Sequence, residues 1–162
     1  MMIVRPETEH DHAAIDHIIE QAFGQTAEVR LVQLLRQDEH DEIGLVAETD
    51  EALVGHIMLS PMTGPAKALG LAPVSVLPAQ QGKGIGSALI KEAIKLATEA
   101  DWEAIFLLGE PAYYERFGFR AALAAPFSSP YSGPYFMALE LKPGALKGKS
   151  GAIEYAPAFS QL

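Results

Sequence analysis

Val74-Ser75-Val76-Leu77-Pro78-Ala79-Gln80-Gln81-Gly82-Lys83-Gly84-Ile85-Gly86-Ser87-Ala88-Leu89-Ile90 is the stretch whose two ends decide the fold. Val74-Ser75-Val76 has the character of a strand, and Pro78 begins a turn. From Leu89 onward, Ile90, Ala93, Ile94, Leu96 and Ala97 follow helical spacing. That spacing predicts an amphipathic helix of about four turns at roughly 3.6 residues each. Between strand and helix stand glycines at 82, 84 and 86. Glycine lets the backbone adopt positive φ and approach a ligand closely. Successive amides at a helix start form a concave anion site, and the helix dipole adds roughly 0.3–1 kcal/mol when exposed. Several charge-assisted amide bonds to one diphosphate can therefore hold an anionic cofactor, with Lys83 adding one cation at the rim.

Upstream, Ile3-Val4-Arg5 reads as a strand closed by Pro6, and His10 to Phe23 as a helix with Ala14, Ile15, Ile18, Ile19 and Ala22 on one stripe. Gly24 ends that helix, and Thr26 takes the N-cap position of a second one. Gly44 to Glu48 and Leu53 to Pro61 pair as a hairpin around Thr49-Asp50-Glu51. Lys67 to Val76 is a central strand interrupted by Pro73, which cannot donate to a ladder and predicts a bulge or a splay. Downstream, Ala104 to Leu108 is a buried strand and Tyr113 to Phe117 a short helix. Phe119 opens another strand region, and Tyr135 to Leu141 is the last clear strand. Residues 143–162 are rich in glycine and proline and are expected to pack as an irregular tail. There is no repeat, linker or second core, so residues 1–162 are expected to form one mixed α/β domain.

A chain of 162 residues, 49% hydrophobic and 20% charged, has the size and composition of one folded domain. No apolar run approaches the roughly 20 residues that span a bilayer, and Met1 to Pro6 lacks the apolar core of a secretory signal. There is no cysteine, hence no disulfide or thiolate chemistry. A cytoplasmic protein fits this pattern. The net charge of −9 argues against nucleic acid and anionic membranes as partners. His10, His12, His17 and His40 lack the i,i+4 spacing of a metal-binding helix, and no metal is expected. Asp38 to Glu42 reads as a solvated charged loop.

Two common phosphate loops fail on spacing. A Walker A loop would need glycine at position 77, where Leu77 stands, and Ser or Thr after the lysine, where Gly84 stands. The dinucleotide fingerprint would need its third glycine at position 87, which is Ser87. Gln-x-x-Gly-x-Gly does fit, at Gln81, Gly84 and Gly86, behind Val76-x-Pro78. This loop resembles the acyl-CoA loop of the GNAT superfamily of N-acetyltransferases. A second resemblance follows in Pro111-Ala112-Tyr113-Tyr114-Glu115-Arg116-Phe117-Gly118-Phe119, similar to the tyrosine and Gly-Phe signature near the end of that fold. With Gly55-His56-Ile57 and the tail Pro143-Gly144-Ala145-Leu146, Gly151 and Tyr155, the chain resembles the YhbS-like predicted acetyltransferases.

The resemblance implies a single domain with a central splayed mixed β-sheet and helices on both faces. It also implies acetyl-CoA as acyl-donor co-substrate and an amine acceptor, a small molecule or a peptide. By that likeness, Gln81, Gly82, Lys83, Gly84, Ile85, Gly86 and Ser87 hold the cofactor. The Val74 amide polarises the thioester carbonyl, Val76 pairs with the pantetheine arm, and Tyr114 protonates the departing thiolate. A phenol of ordinary pKa about 10 is protonated at neutral pH and suits that role. The competing role for Tyr114 is to brace the Gly118-Phe119 turn. Some members of the superfamily carry a glutamate eleven residues before the loop glutamine; here Gly70 stands there. That departure leaves the base open between an amine that arrives neutral, a water chain, Glu110 and His56. It also keeps a non-catalytic acyl-CoA sensor as the alternative function. Ser60, Met62 and the Tyr131–Tyr135 segment are candidates for the acceptor side, and the Tyr135–Leu141 strand offers an edge suited to a homodimer.

Overall fold

The computed structural model describes all 162 residues. Its strands are β1 (Met2–Pro6), β2 (Ile43–Thr49), β3 (Ala52–Pro61), β4 (Ala68–Val76), β5 (Ala104–Leu108), β6 (Phe127–Ser128), β7 (Phe136–Glu140) and β8 (Gly151–Ala152). Its helices are α1 (His12–Phe23), α2 (Ala27–Gln37), α3 (Ile85–Glu99), α4 (Pro111–Tyr114) and α5 (Ala121–Ala124). Six strands form one mixed sheet in the order β1-β2-β3-β4-β5-β7, and β6 pairs in parallel with β8. This is the mixed α/β architecture, a sheet flanked by helices, that the alternation of strand and helix periods predicts. The chain divides into two compact units: Met1–Leu59, Ala72–Ala93 and Pro157–Leu162 form one, Ser60–Leu71 and Ile94–Ala156 the other.

In the first unit, α1 buries Ile15, Ile18 and Ile19, and α2 buries Leu31, Val32 and Leu35, the apolar stripes expected from their spacing. Gly24 closes α1 in the left-handed region at φ 68°, and its amide donates to the Glu20 carbonyl at 2.8 Å. Thr26 does occupy the N-cap position of α2, but its side chain makes no capping bond. The neighbouring Gln25 bonds Glu28 at 2.9 Å instead. The antiparallel β1–β2 and β2–β3 ladders, with a register shift at Ala47/Glu48, and the end of β4 from Ala72 make up this unit's share of the sheet.

In the second unit, the parallel β4–β5 ladder pairs Ala68, Leu69 and Gly70 with Ala104, Ile105 and Phe106. β5 then pairs antiparallel with β7. The small residues Ala68 and Ala104 leave room for large rings. Phe106 packs edge-on to Phe127 at 5.3 Å and stacks on Phe136 at 5.5 Å. The strand expected from Phe119 does not form. Arg120 makes a single bridge to Ala138, and the chain turns at once into α5, because Ala121–Ala124 favours helix and buries Ala124. That bridge also occupies the edge of β7 at Ala138, through bonds of 2.9 and 3.1 Å. The tail is more ordered than its composition predicts. Part of it forms β8, Thr63 and Glu154 bridge each other, and Pro157–Ser160 forms a 3-10 turn in the first unit. Backbone pairing, rather than side-chain pattern, orders these residues, and a composition-based expectation does not register it.

Candidate functional site

The glycine-rich loop has a defined path. After β4, Pro78–Gln80 makes one 3-10 turn, with the Gln80 amide donating to the Leu77 carbonyl at 2.8 Å. The Gln81 side chain turns back and its Nε2 donates to the Val76 carbonyl at 3.2 Å. Gln81 is therefore a clasp that fixes the loop to the strand end. Gly82 and Gly84 both sit in the left-handed region, at φ 79° and 81°. Nothing lies within 4 Å of where a Cβ on either would stand. The conformation, and not crowding by the protein, is what demands glycine there. The first helical bond of α3 runs from the Ala88 amide to the Gly84 carbonyl at 3.1 Å. The amides of Gly82, Lys83, Gly84, Ile85 and Gly86 thus make no hydrogen bond to the protein, as expected at a helix start. Lys83 reaches Gln80 Oε1 at 3.3 Å, so the loop's one cation lies beside those amides. Ile85 is buried and anchors the helix, while Gly86 and Ser87 are half-buried on its first turn.

The strand feeding this loop presents its backbone in a definite sense. The Leu77 amide donates to the Val54 carbonyl of β3 at 2.9 Å. The Ser75 carbonyl lies 3.3 Å from where a Cβ on Gly55 would stand, so Ser75 and Leu77 face β3. Backbone polar groups alternate along a strand. Val74 and Val76 therefore turn their N–H and C=O groups to the opposite edge, away from β3. The β4–β5 ladder on that edge has already ended at Gly70. Ala72, Val74 and Val76 are half-buried and alternate with buried Pro73 and Ser75. The Ala72-Pro73 peptide is cis, at the interruption that Pro73 predicts.

Tyr114 ends α4, which begins after the N-cap residue Glu110 and has Pro111 in its first turn. The Glu110 carbonyl accepts the amides of Tyr113 and Tyr114, each at 3.1 Å, while its side chain is exposed and caps nothing. The Tyr114 ring packs edge-on to Tyr113 at 4.9 Å and to Phe119 at 6.0 Å, and it covers Gly109, where any Cβ would collide with it. Burial, reinforced by Tyr113, raises the Tyr114 pKa above that of an ordinary phenol. Tyr113 turns outward to stack with the Arg116 guanidinium at 4.5 Å.

His56, a candidate base on sequence grounds, is fully buried on β3, and its Nε2 lies 2.8 Å from Glu7 Oε1. Glu7 is a hub that sequence reasoning missed. Its other oxygen meets Arg36 Nη2 at 2.9 Å and lies 3.3 Å from His12 Nε2, and its side chain fills the space over Gly44. Burial alone would raise the Glu7 pKa, but the His56 hydrogen bond and the Arg36 charge hold it below the usual carboxylate range. Burial also keeps His56 neutral by lowering its pKa, against the pull of Glu7. These groups tie the segment just after β1 to α1, α2 and β3, which makes His56 a structural residue. Gly70 is occupied differently. A Cβ there would meet the Tyr155 ring at 2.6 and 2.7 Å, so the tail supplies the side chain that β4 lacks. The two residues are too far apart in sequence for any periodicity to have linked them.

A model of the Acetyltransferase (GNAT) family matches residues 12–119, from α1 through the Tyr114 helix to Phe119. This chain belongs to the GNAT family of acetyltransferases. It is 32% identical to the uncharacterized N-acetyltransferase YhbS of Escherichia coli K12, over 99% of this chain and all of that protein. The crystal structure of the Escherichia coli YhbS in complex with CoA superposes with a TM-score of 0.92, covering 98% of this chain and 92% of that one. A GNAT family acetyltransferase from Brucella melitensis, solved with acetyl-CoA, superposes at 0.84 with 35% identity and 98% coverage of both chains. This GNAT chain has no group of three or more side chains placed to hold a metal ion, and no helix long and apolar enough to cross a membrane.

Proposed function

We propose that this GNAT chain binds acetyl-CoA at the Gln81–Ser87 loop and transfers the acetyl group directly to an amine. The observation that carries this is the row of amides from Gly82 to Gly86, turned out at the start of α3 with no partner in the protein. Such a row suits a diphosphate. Two similar chains, at 32% and 35% identity, were solved with CoA and acetyl-CoA. Lys83 adds a positive charge beside it, and Gln81 holds the loop to β4.

The chemistry follows from the free edge of β4. The Val74 amide donates to the thioester carbonyl oxygen and strengthens as that oxygen gains charge. A donor of this kind contributes about 2.7–4 kcal/mol to lowering the barrier. Val76 pairs with the pantetheine amide. The amine nitrogen forms a bond to the acetyl carbon, the tetrahedral intermediate collapses, and the carbon–sulfur bond breaks. Tyr114, held as a phenol by burial, gives its proton to the thiolate and regains one from solvent. With Gly70 on β4 and His56 sealed inside, the amine attacks neutral and leaves its own proton to water. A coenzyme A release assay with acetyl-CoA and a panel of primary amines tests the proposal. Release that depends on an amine supports it. Tight acetyl-CoA binding with no release across the panel contradicts transfer.

A further inference from the structure

We propose that Ser75 is a positioning residue: its hydroxyl hydrogen-bonds His56 Nδ1 and so holds the end of β4 whose Val74 and Val76 amides face the thioester and the pantetheine arm. The inference rests on the proposed acetyl transfer and adds the residue that aims its oxyanion donor. Ser75 is 2% exposed and His56 0%, yet Ser75 Oγ and His56 Nδ1 both lack a hydrogen-bond partner in the protein. A buried polar atom left unpaired costs about 1–3 kcal/mol. Pairing these two with each other removes both costs at once.

Strand register brings the two side chains together. The Glu7 amide donates to the Gly44 carbonyl at 3.0 Å, so Gly44 and, two residues on, Val46 turn their backbone groups to β1. His56 is the β3 partner of Val46, and its own backbone groups therefore turn to β4. Neighbouring strands β3 and β4 run antiparallel, since the Met62 amide bonds the Ala68 carbonyl and the Leu77 amide bonds the Val54 carbonyl, each at 2.9 Å. Two residues from the Leu77–Val54 bond on each strand, Ser75 stands opposite His56. Directly opposite residues share a face of the sheet, with Cβ atoms about 4.5–5.5 Å apart. Rotation about the serine Cα–Cβ bond alone swings the hydroxyl between its staggered positions.

The polarities match. The Glu7 carboxylate accepts from Arg36 Nη2 at 2.9 Å and takes the Nε2 proton of His56 at 2.8 Å. The neutral ring then has no proton on Nδ1, which is left as an acceptor. A hydroxyl is the donor it lacks. Asp16 Oδ1, also unpaired, is a carboxylate oxygen and itself an acceptor. The resulting chain, Ser75–His56–Glu7–Arg36, runs from β4 through β3 and the segment after β1 to α2. It acts where support is needed, because the β4–β5 ladder has ended at Gly70 and Val74 and Val76 flank Ser75 on the free edge.

The test follows the ring nitrogens of His56 and the amides of Val74 and Val76 by nitrogen NMR in isotopically labelled chain. In the wild type, Nε2 is expected to carry the proton and Nδ1 to resonate as an acceptor engaged in a hydrogen bond. Ser75→Ala, which removes one oxygen, moves Nδ1 to the unbonded position and gives Val74 and Val76 microsecond-to-millisecond exchange broadening. Ser75→Thr, which keeps the hydroxyl, restores both. In amine-dependent coenzyme A release, Ser75→Ala lowers kcat about 3- to 10-fold, the loss of one hydrogen bond, while acetyl-CoA affinity, set by the glycine loop, holds. An identical Nδ1 resonance in the wild type and Ser75→Ala, or a proton on Nδ1 in place of Nε2, overturns the bond. Unchanged exchange at Val74 and Val76, or an unchanged kcat, overturns the positioning role. No coenzyme A release from the wild type, with the resonance changes as expected, would sink the acetyl transfer and leave Ser75 as the residue that steadies the β4 edge.

Discussion

In the proposed transfer, turnover, as distinct from binding, depends on Tyr114. Its hydroxyl makes no hydrogen bond to the protein, while its ring is wedged between Tyr113, Phe119 and the Gly109 backbone. A tyrosine kept only to brace a turn would place its hydroxyl against a partner. Tyr114→Phe is therefore expected to lower kcat about 100-fold, the lower end of general-acid effects, with acetyl-CoA affinity within about twofold of wild type. Steady-state rates beside a binding titration check this; unchanged turnover returns Tyr114 to a structural role. At this scale the sequence was readable where one residue type answers to one backbone need. Gly84 and Tyr114 stand out by motif. Gly70 does not, because its reason is a ring from residue 155, and only the folded chain brings the two together.

Among the elements, β4 and the α1–α2 pair depend on different forces. The interruption of β4 was legible from Pro73 alone, and the helix stripes from apolar spacing. The Glu7 hub was not legible, because its three side-chain partners, His12, Arg36 and His56, come from three separate elements and no local pattern marks them. The short α5 in place of a strand after Phe119 has a similar origin. A single bridge at Arg120 satisfies the pairing, and the alanine run then prefers helix. The hub makes a prediction about acid. His56 is held below its ordinary 6.5, so the unfolded chain takes up a proton there before the folded chain does. Stability should fall as pH drops below about 6.5, and fall further once pH passes below the ordinary carboxylate value of 4.5 for Glu7, whose pKa is also lowered. Melting temperatures measured from pH 7.5 to 4 should show this slope. His56→Gln, which removes the first titration, should flatten it between pH 7 and 5. An equal slope in both would place the acid sensitivity elsewhere.

For the molecule as a whole, charge opposes the cofactor. The first unit carries fourteen acidic and five basic side chains, so the entire net charge of −9 belongs to the unit that holds the loop. In the proposed binding mode coenzyme A, itself a polyanion, approaches against that field and is held by short-range amide bonds, with Lys83 as the loop's one cation. The association rate for acetyl-CoA should therefore rise with salt, as the screening length shrinks from about 30 Å at 0.01 M to about 8 Å at 0.15 M. A rate that falls instead would mean that local cations, and not amides, steer the ligand. The central claim is that the amides between Gly82 and Gly86 hold the diphosphate of acetyl-CoA. Calorimetric titration of acetyl-CoA into wild type and Gly84→Asp tests it most directly. The substitution places a carboxylate beside the diphosphate and strains a residue at φ 81°, while nothing packed against Gly84 is disturbed. Wild type should bind and Gly84→Asp should lose at least about 100-fold, with its circular dichroism unchanged. Equal affinity in the two proteins would contradict the assignment of the loop.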